Sequence, residues 1–145
     1  MDLHGLLHMA DLRGAQEGED NDVSNLKLQK LLYYAQGFSL ALNNRPLFGE
    51  DVVAWPHGPV VVEVYEAYNG YGGAVIPGPI GFDASIIPTE DRDLLDEVFE
   101  IYGQFSAWQL REKTHEESPW RTTPQYSVIS HEAMRLFFLE RVREA

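Results

Sequence analysis

Histidines and neighbouring carboxylates are the residues of this chain with the raw material for metal binding or acid–base work. Five histidines are present. His4 and His8 stand four positions apart, a spacing that aims two imidazoles from one helical face at one metal ion. A zinc site needs further ligands, and none lies near them. His115-Glu116-Glu117 is followed by Ser118 and Pro119, so it lacks the second histidine of a His-Glu-x-x-His site. His115 suits a helix end instead, where a ring can meet free carbonyls. His57, beside Trp55 and between Pro56 and Gly58, has two readings. One is a contact at the mouth of a pocket; the other is a turn residue whose ring bonds nearby backbone. Asp96-Glu97 and Glu116-Glu117 are adjacent pairs, which point about 100° apart on a helix and do not share a proton site. There is no cysteine and no Gly-x-Ser-x-Gly elbow. The runs Gly70-Tyr71-Gly72-Gly73 and Gly78-Pro79-Ile80-Gly81 lack the Lys-Ser/Thr of a phosphate loop. The expectation is therefore a protein that is not an enzyme and uses no metal or cofactor. The enzymatic alternative is a small hydrolase built on His57, His115 and one carboxylate.

Composition bounds the remaining classes. A chain of 145 residues is about one domain, with a core of useful size. Its 44% hydrophobic and 12% aromatic content argues against disorder. No apolar run approaches the roughly 20 residues that span a bilayer, and no signal-like segment opens the chain. The absence of cysteine fits a reducing, cytoplasmic setting. The net charge of −12, with basic residues scattered, disfavours nucleic acid, whose phosphates demand clustered Lys and Arg. Acidity keeps a protein soluble, and it also steers a basic partner.

Several elements must position these residues. Residues 1–22 hold Leu3, Leu6, Leu7 and Ala10 at near-helical spacing, interrupted by Gly5 and Gly14. Ser24 reads as an N-cap. Leu28, Leu31, Leu32, Ala35 and Phe38, with Leu42 one turn on, predict an amphipathic helix. Lys27, Gln29, Lys30 and Gln36 then fall on its other side. The helix should end at Asn43-Asn44 before Pro46. Pro46–Phe48 and Val52–Trp55 around Gly49-Glu50-Asp51 predict a small hairpin. Gly58-Pro59 predicts a helix start with Pro at its first position. Val61, Val64, Tyr65 and Tyr68 are its apolar face. Residues 75–88 read as a Pro/Gly arm. Thr89 opens a helix carrying Leu94, Leu95, Val98, Ile101 and Tyr102. Ser106 with Gln109 is a capping box for the next helix. Pro119 and Pro124 bracket a loop, and Ser130 caps a last helix. The fold expected is mainly α: one five- to six-helix domain over 1–145 with a short β-hairpin.

Large rings are abundant, and Trp and Tyr anchor many protein interfaces as well as small cores. Tyr34 lies off the Leu28/Leu31/Leu32/Ala35 face, and Tyr68 and Tyr71 bracket a helix end. These three are expected to be exposed contacts. With Trp55, His57 and His115 they form the candidate partner-binding set.

The ordered blocks resemble a known family. Leu26-Lys27-Leu28-Gln29-Lys30-Leu31-Leu32-Tyr33-Tyr34-Ala35-Gln36-Gly37, Arg45-Pro46-Leu47-Phe48, Ala54-Trp55 with Gly58-Pro59-Val60, and Val64-Tyr65 resemble the Panacea domain. This is the SocA-like antitoxin family, also met as a phage-associated protein family. Leu94-Leu95-Asp96-Glu97-Val98, Tyr102-Gly103, Ser106-Ala107, Leu110, Thr114-His115 and Pro119-Trp120 resemble its second block. The likeness covers about Asp22 to Trp120. It implies a mostly helical antitoxin that neutralises a toxin encoded nearby by direct protein–protein contact, with no cofactor. A homo-oligomer is compatible with it. A phage-associated regulatory or adaptor protein with a non-toxin partner is the alternative that the same likeness allows.

Overall fold

Most elements of the structure, a computed structural model describing residues 25–68 and 89–144, pack against one helix. That helix is α1 (Asn25–Asn43). It is followed by β1 (Val53–Trp55), β2 (Gly58–Val60), α2 (Val62–Tyr68), α3 (Thr89–Tyr102), α4 (Ala107–His115), α5 (Ser118–Arg121) and α6 (His131–Glu144). The fold is mainly α with one short antiparallel hairpin, as the sequence indicates.

Leu28, Leu31, Leu32 and Ala35 of α1 enter the core as expected, with Val64, Leu95, Val98, Leu110, Met134 and Phe138 around them. Burying each large aliphatic side chain contributes on the order of 1.5–3 kcal/mol. The polar side of α1 departs from the amphipathic expectation, because Lys27, Gln29, Lys30 and Gln36 are all buried too. The helix is surrounded, and each of these side chains meets main chain that needs a partner. Lys27 Nζ donates to the Gly103 carbonyl (2.6 Å), and Lys30 Nζ to that of Pro59 (3.2 Å). Gln29 accepts from the Val61 N–H (2.9 Å) and donates to Asn25 Oδ1 (2.8 Å). Gln36 accepts from the N–H groups of Leu47 (2.8 Å) and Phe48 (3.2 Å) and donates to the Phe48 carbonyl (3.0 Å). A polar residue in such a place behaves as a backbone clamp. Midway along α1, Gly37 lets α6 approach closely; a Cβ there would fall on the Phe138 ring.

The hairpin lies one step later than the sequence suggests. Val53, Ala54 and Trp55 pair with Val60, Pro59 and Gly58 around a Pro56-His57 turn. Pro46–Phe48 is not a strand, since Gln36 takes up its backbone groups. Gly58-Pro59 accordingly belongs to β2, and α2 begins at Val62. The segment 126–129 runs along the free side of β1. Tyr126 N–H donates to Ala54 O (2.6 Å), Ala54 N–H to Ser127 O (3.0 Å) and Ile129 N–H to Val52 O (2.7 Å).

Helix punctuation follows local chemistry. Asn44 takes a left-handed φ of 53° after α1. Ser106 and Gln109 form both halves of a capping box on α4. Ser130 Oγ accepts the Ala133 N–H (3.1 Å) at the start of α6. The loop expected between Pro119 and Pro124 instead contains the single helical turn α5, with Pro119 near its start, where no N–H is required. Ser24, the segment 1–22 with His4 and His8, and the 75–88 arm lie outside the described residues.

Candidate partner-binding surface

Three of the six residues expected to make contacts come together at one corner. Trp55 precedes the hairpin turn, His57 lies in it, and His115 is the last residue of α4. Trp55 meets His57 (ring centroids 5.9 Å) and Tyr65 (5.1 Å) edge-on. His115 stacks on Trp120 at 4.1 Å with an interplanar angle of 7°. Trp120 Nε1 donates to the Trp55 carbonyl (2.8 Å). The hairpin tip is thereby pinned to the α4–α5 junction. Gly58 is required beneath it. Its φ is +118°, and a Cβ would sit 2.7 Å from Lys30 Cε and 2.9 Å from Thr114 Oγ1.

The electrostatics of this corner come from cations gathered in an acidic protein. Burial, then Arg111, pushes the Lys30 ammonium down to about 7. Burial lowers His57, helped by Lys30, Arg111 and His115. His115 is lowered by burial and then Arg111, while Glu112 and the Pro56 carbonyl oppose the change. Both imidazoles are therefore uncharged near neutral pH. His57 Nδ1 and His115 Nε2 are buried without a hydrogen-bond partner. Chemically, the corner offers ring surface and polar edges. Among the described residues, no group of three or more His, Cys, Asp or Glu side chains could hold a metal.

Tyr34 is not an exposed contact. It is 0% exposed, and α1 turns it inward because this part of the helix is covered on all sides. Its hydroxyl donates to Glu117 Oε2 (2.9 Å), while Tyr33 donates to Glu117 Oε1 (3.0 Å). Arg141 adds a longer bond of 3.5 Å from the surface. Burial raises the Glu117 carboxyl above its ordinary value, and the two tyrosines and Arg141 oppose that rise. Both tyrosines are pushed up, by burial first and by Glu117 next. Glu116, by contrast, is exposed, so the neighbouring carboxylates do part ways. Tyr68 is the last residue of α2, and Tyr71 lies outside the described residues.

A second feature escaped the sequence reading. Phe38 and Leu42 of α1, Leu94, Val98, Ile101 and Tyr102 of α3, and Val142 of α6 line an apolar groove of about 580 Å³. Among the described residues, Glu97 and Arg141 are its only charged lining side chains. Leu42 is 50% exposed and Ile101 53%. The sequence signal was the width of the apolar stripe on α3. Leu94, Leu95, Val98, Phe99, Ile101 and Tyr102 cover more of the helix than one packed neighbour can hide.

The mostly helical packing matches what the resemblance implied. A family model described as "Antitoxin SocA-like, Panacea domain" matches residues 28–121. The chain belongs to that family. It is also similar to Antitoxin SocA of Caulobacter vibrioides (strain NA1000 / CB15N), with 34% identity over 112 residues. That alignment covers 70% of this chain and 60% of the relative, so the chain spans little more than half of that protein's length. No solved structure matches the chain significantly. No helix among the described residues is long and apolar enough to cross a membrane.

Proposed function

We propose that this protein is an antitoxin that holds a protein toxin inactive by direct contact and catalyses no reaction. The observation that carries the reading is membership of the antitoxin SocA-like family across residues 28–121, the stretch that builds α1 to α5. The similarity to a protein named Antitoxin SocA supports it. The distribution of charge and rings also supports it, since buried polar groups are spent on internal backbone bonds and large rings reach the surface. Trp55, His57 and His115 are proposed contacts at the hairpin corner. The toxin is taken to be encoded beside this gene, and the encounter to occur in the cytoplasm.

The test is to express the adjacent reading frame alone and then with this protein. Growth arrest in the first case, rescue in the second, and co-elution of the purified pair are expected. A neighbour that is harmless, or a toxic neighbour that is neither rescued nor bound, would defeat the reading.

A further inference from the structure

The groove between α1, α3 and α6 has an asymmetric electrostatic frame. On α3, successive residues turn by about 100°, so Leu94, Val98 and Ile101 share one face. Glu97 borders that face, and Asp93, Glu100 and Asp96 continue away from it as one stripe. All four carboxylates are exposed, and none forms an ion pair with a described residue. The far wall carries Arg141, which rests over the Phe137 ring (5.3 Å) and reaches Glu117. Among the described residues, the groove therefore has an apolar floor, a strongly acidic edge and one lining cation opposite.

Those features select an occupant. Anionic lipid and nucleic acid are repelled by the acidic edge. A second copy would bring another chain of net charge −12 against the same carboxylates. A small molecule would find few polar groups to fix its orientation, since among the described lining residues only Glu97, Arg141 and the Tyr102 hydroxyl are polar. Helical walls without a free strand edge suit a helix laid in the groove, anchored at i, i+3, i+4 and i+7. We propose that this groove binds a basic amphipathic helix of a partner protein, its apolar anchors between Leu42 and Ile101 and its Lys or Arg residues along Glu97 and Glu100. This names the chemistry of the partner in the antitoxin reading and rests on it.

The probe is a fluorescent peptide of about 18 residues, or about five helical turns, with Leu on one face and Lys on its flanks. A second peptide carries Glu in place of Lys. Anisotropy with the 145-residue chain should show the Lys peptide binding at least about tenfold more tightly than the Glu peptide, a difference of about 1.4 kcal/mol. Ile101→Asp should abolish binding. Glu97→Lys with Glu100→Lys should reverse the preference; these positions are exposed, so folding is preserved. Equal binding of the two peptides, no binding of the Lys peptide, or unchanged binding by Ile101→Asp would overturn the proposal. So would a dimer that Ile101→Asp converts to monomer on a sizing column. In the rescue assay, an Ile101→Asp variant that protects as well as wild type sinks the groove alone. Failure of the wild type to protect sinks the antitoxin reading, while the peptide preference still decides the groove.

Discussion

Glu117 brings a carboxylate into the core, and two tyrosine hydroxyls determine how well it is tolerated there. Tyr34→Phe removes one donor and leaves an oxygen with only the distant Arg141. A loss of about 1–3 kcal/mol is expected, the usual penalty for a buried polar group stripped of a partner. The Glu117 carboxyl is already raised by burial, so the folded state binds its proton more readily than the unfolded chain does. Stability from this group is thus greatest at low pH and falls as pH rises above the ordinary carboxyl range. Tyr34→Phe raises the carboxyl further, so its penalty should be larger at pH 8 than at pH 5, as urea titrations at both values would reveal. Lys30 has the opposite sign. Its ammonium lets go of its proton near pH 7 in the fold but near 10.5 in the unfolded chain. Between pH 7 and 9 the folded state binds fewer protons, and this residue should make stability climb by up to about 1.4 kcal/mol per pH unit. Lys30→Met should flatten that climb, which denaturation at pH 7, 8 and 9 would check.

At the scale of elements, α1 and α6 fit because one of them lacks a side chain at the crossing. Gly37→Ala drives a methyl into Phe138, which is fully buried and has no room to withdraw. Overpacking of this kind should lower stability by about 1–3 kcal/mol. Phe138→Leu in the same chain should return part of it, a coupling that a double-mutant cycle in urea would measure. Element existence was legible in the sequence wherever the signal is local. The Asn43-Asn44 stop, the Ser106/Gln109 box and the Ser130 cap each depend on residues within one turn. What was not legible depends on neighbours distant in the chain. Lys27, Lys30 and Gln36 look like an outward face until the carbonyls of Gly103, Pro59 and Phe48 arrive to receive them. The hairpin moved by one segment for the same reason, as Gln36 captured the backbone of the expected first strand. The candidate surface was half legible. Trp55, His57 and His115 do gather, because the turn and the end of α4 are local features brought together by one hydrogen bond from Trp120. The groove was not, since an apolar stripe gives no hint of which part stays uncovered.

For the molecule as a whole, the charge of −12 makes a prediction that shape does not. If acidity steers the partner, the association rate of the purified pair should drop at least about tenfold from low salt to 0.5 M, while dissociation changes little. A rate indifferent to salt would mean that the charge serves solubility only. The clamps along α1 have one more consequence. Gln29, Gln36, Lys27 and Lys30 grip main-chain atoms, which every residue type supplies in the same form, proline's missing N–H aside. The gripped loops can exchange their outward side chains while the frame holds its shape. Such a scaffold can acquire a new recognition face by surface substitution alone, without rebuilding its interior.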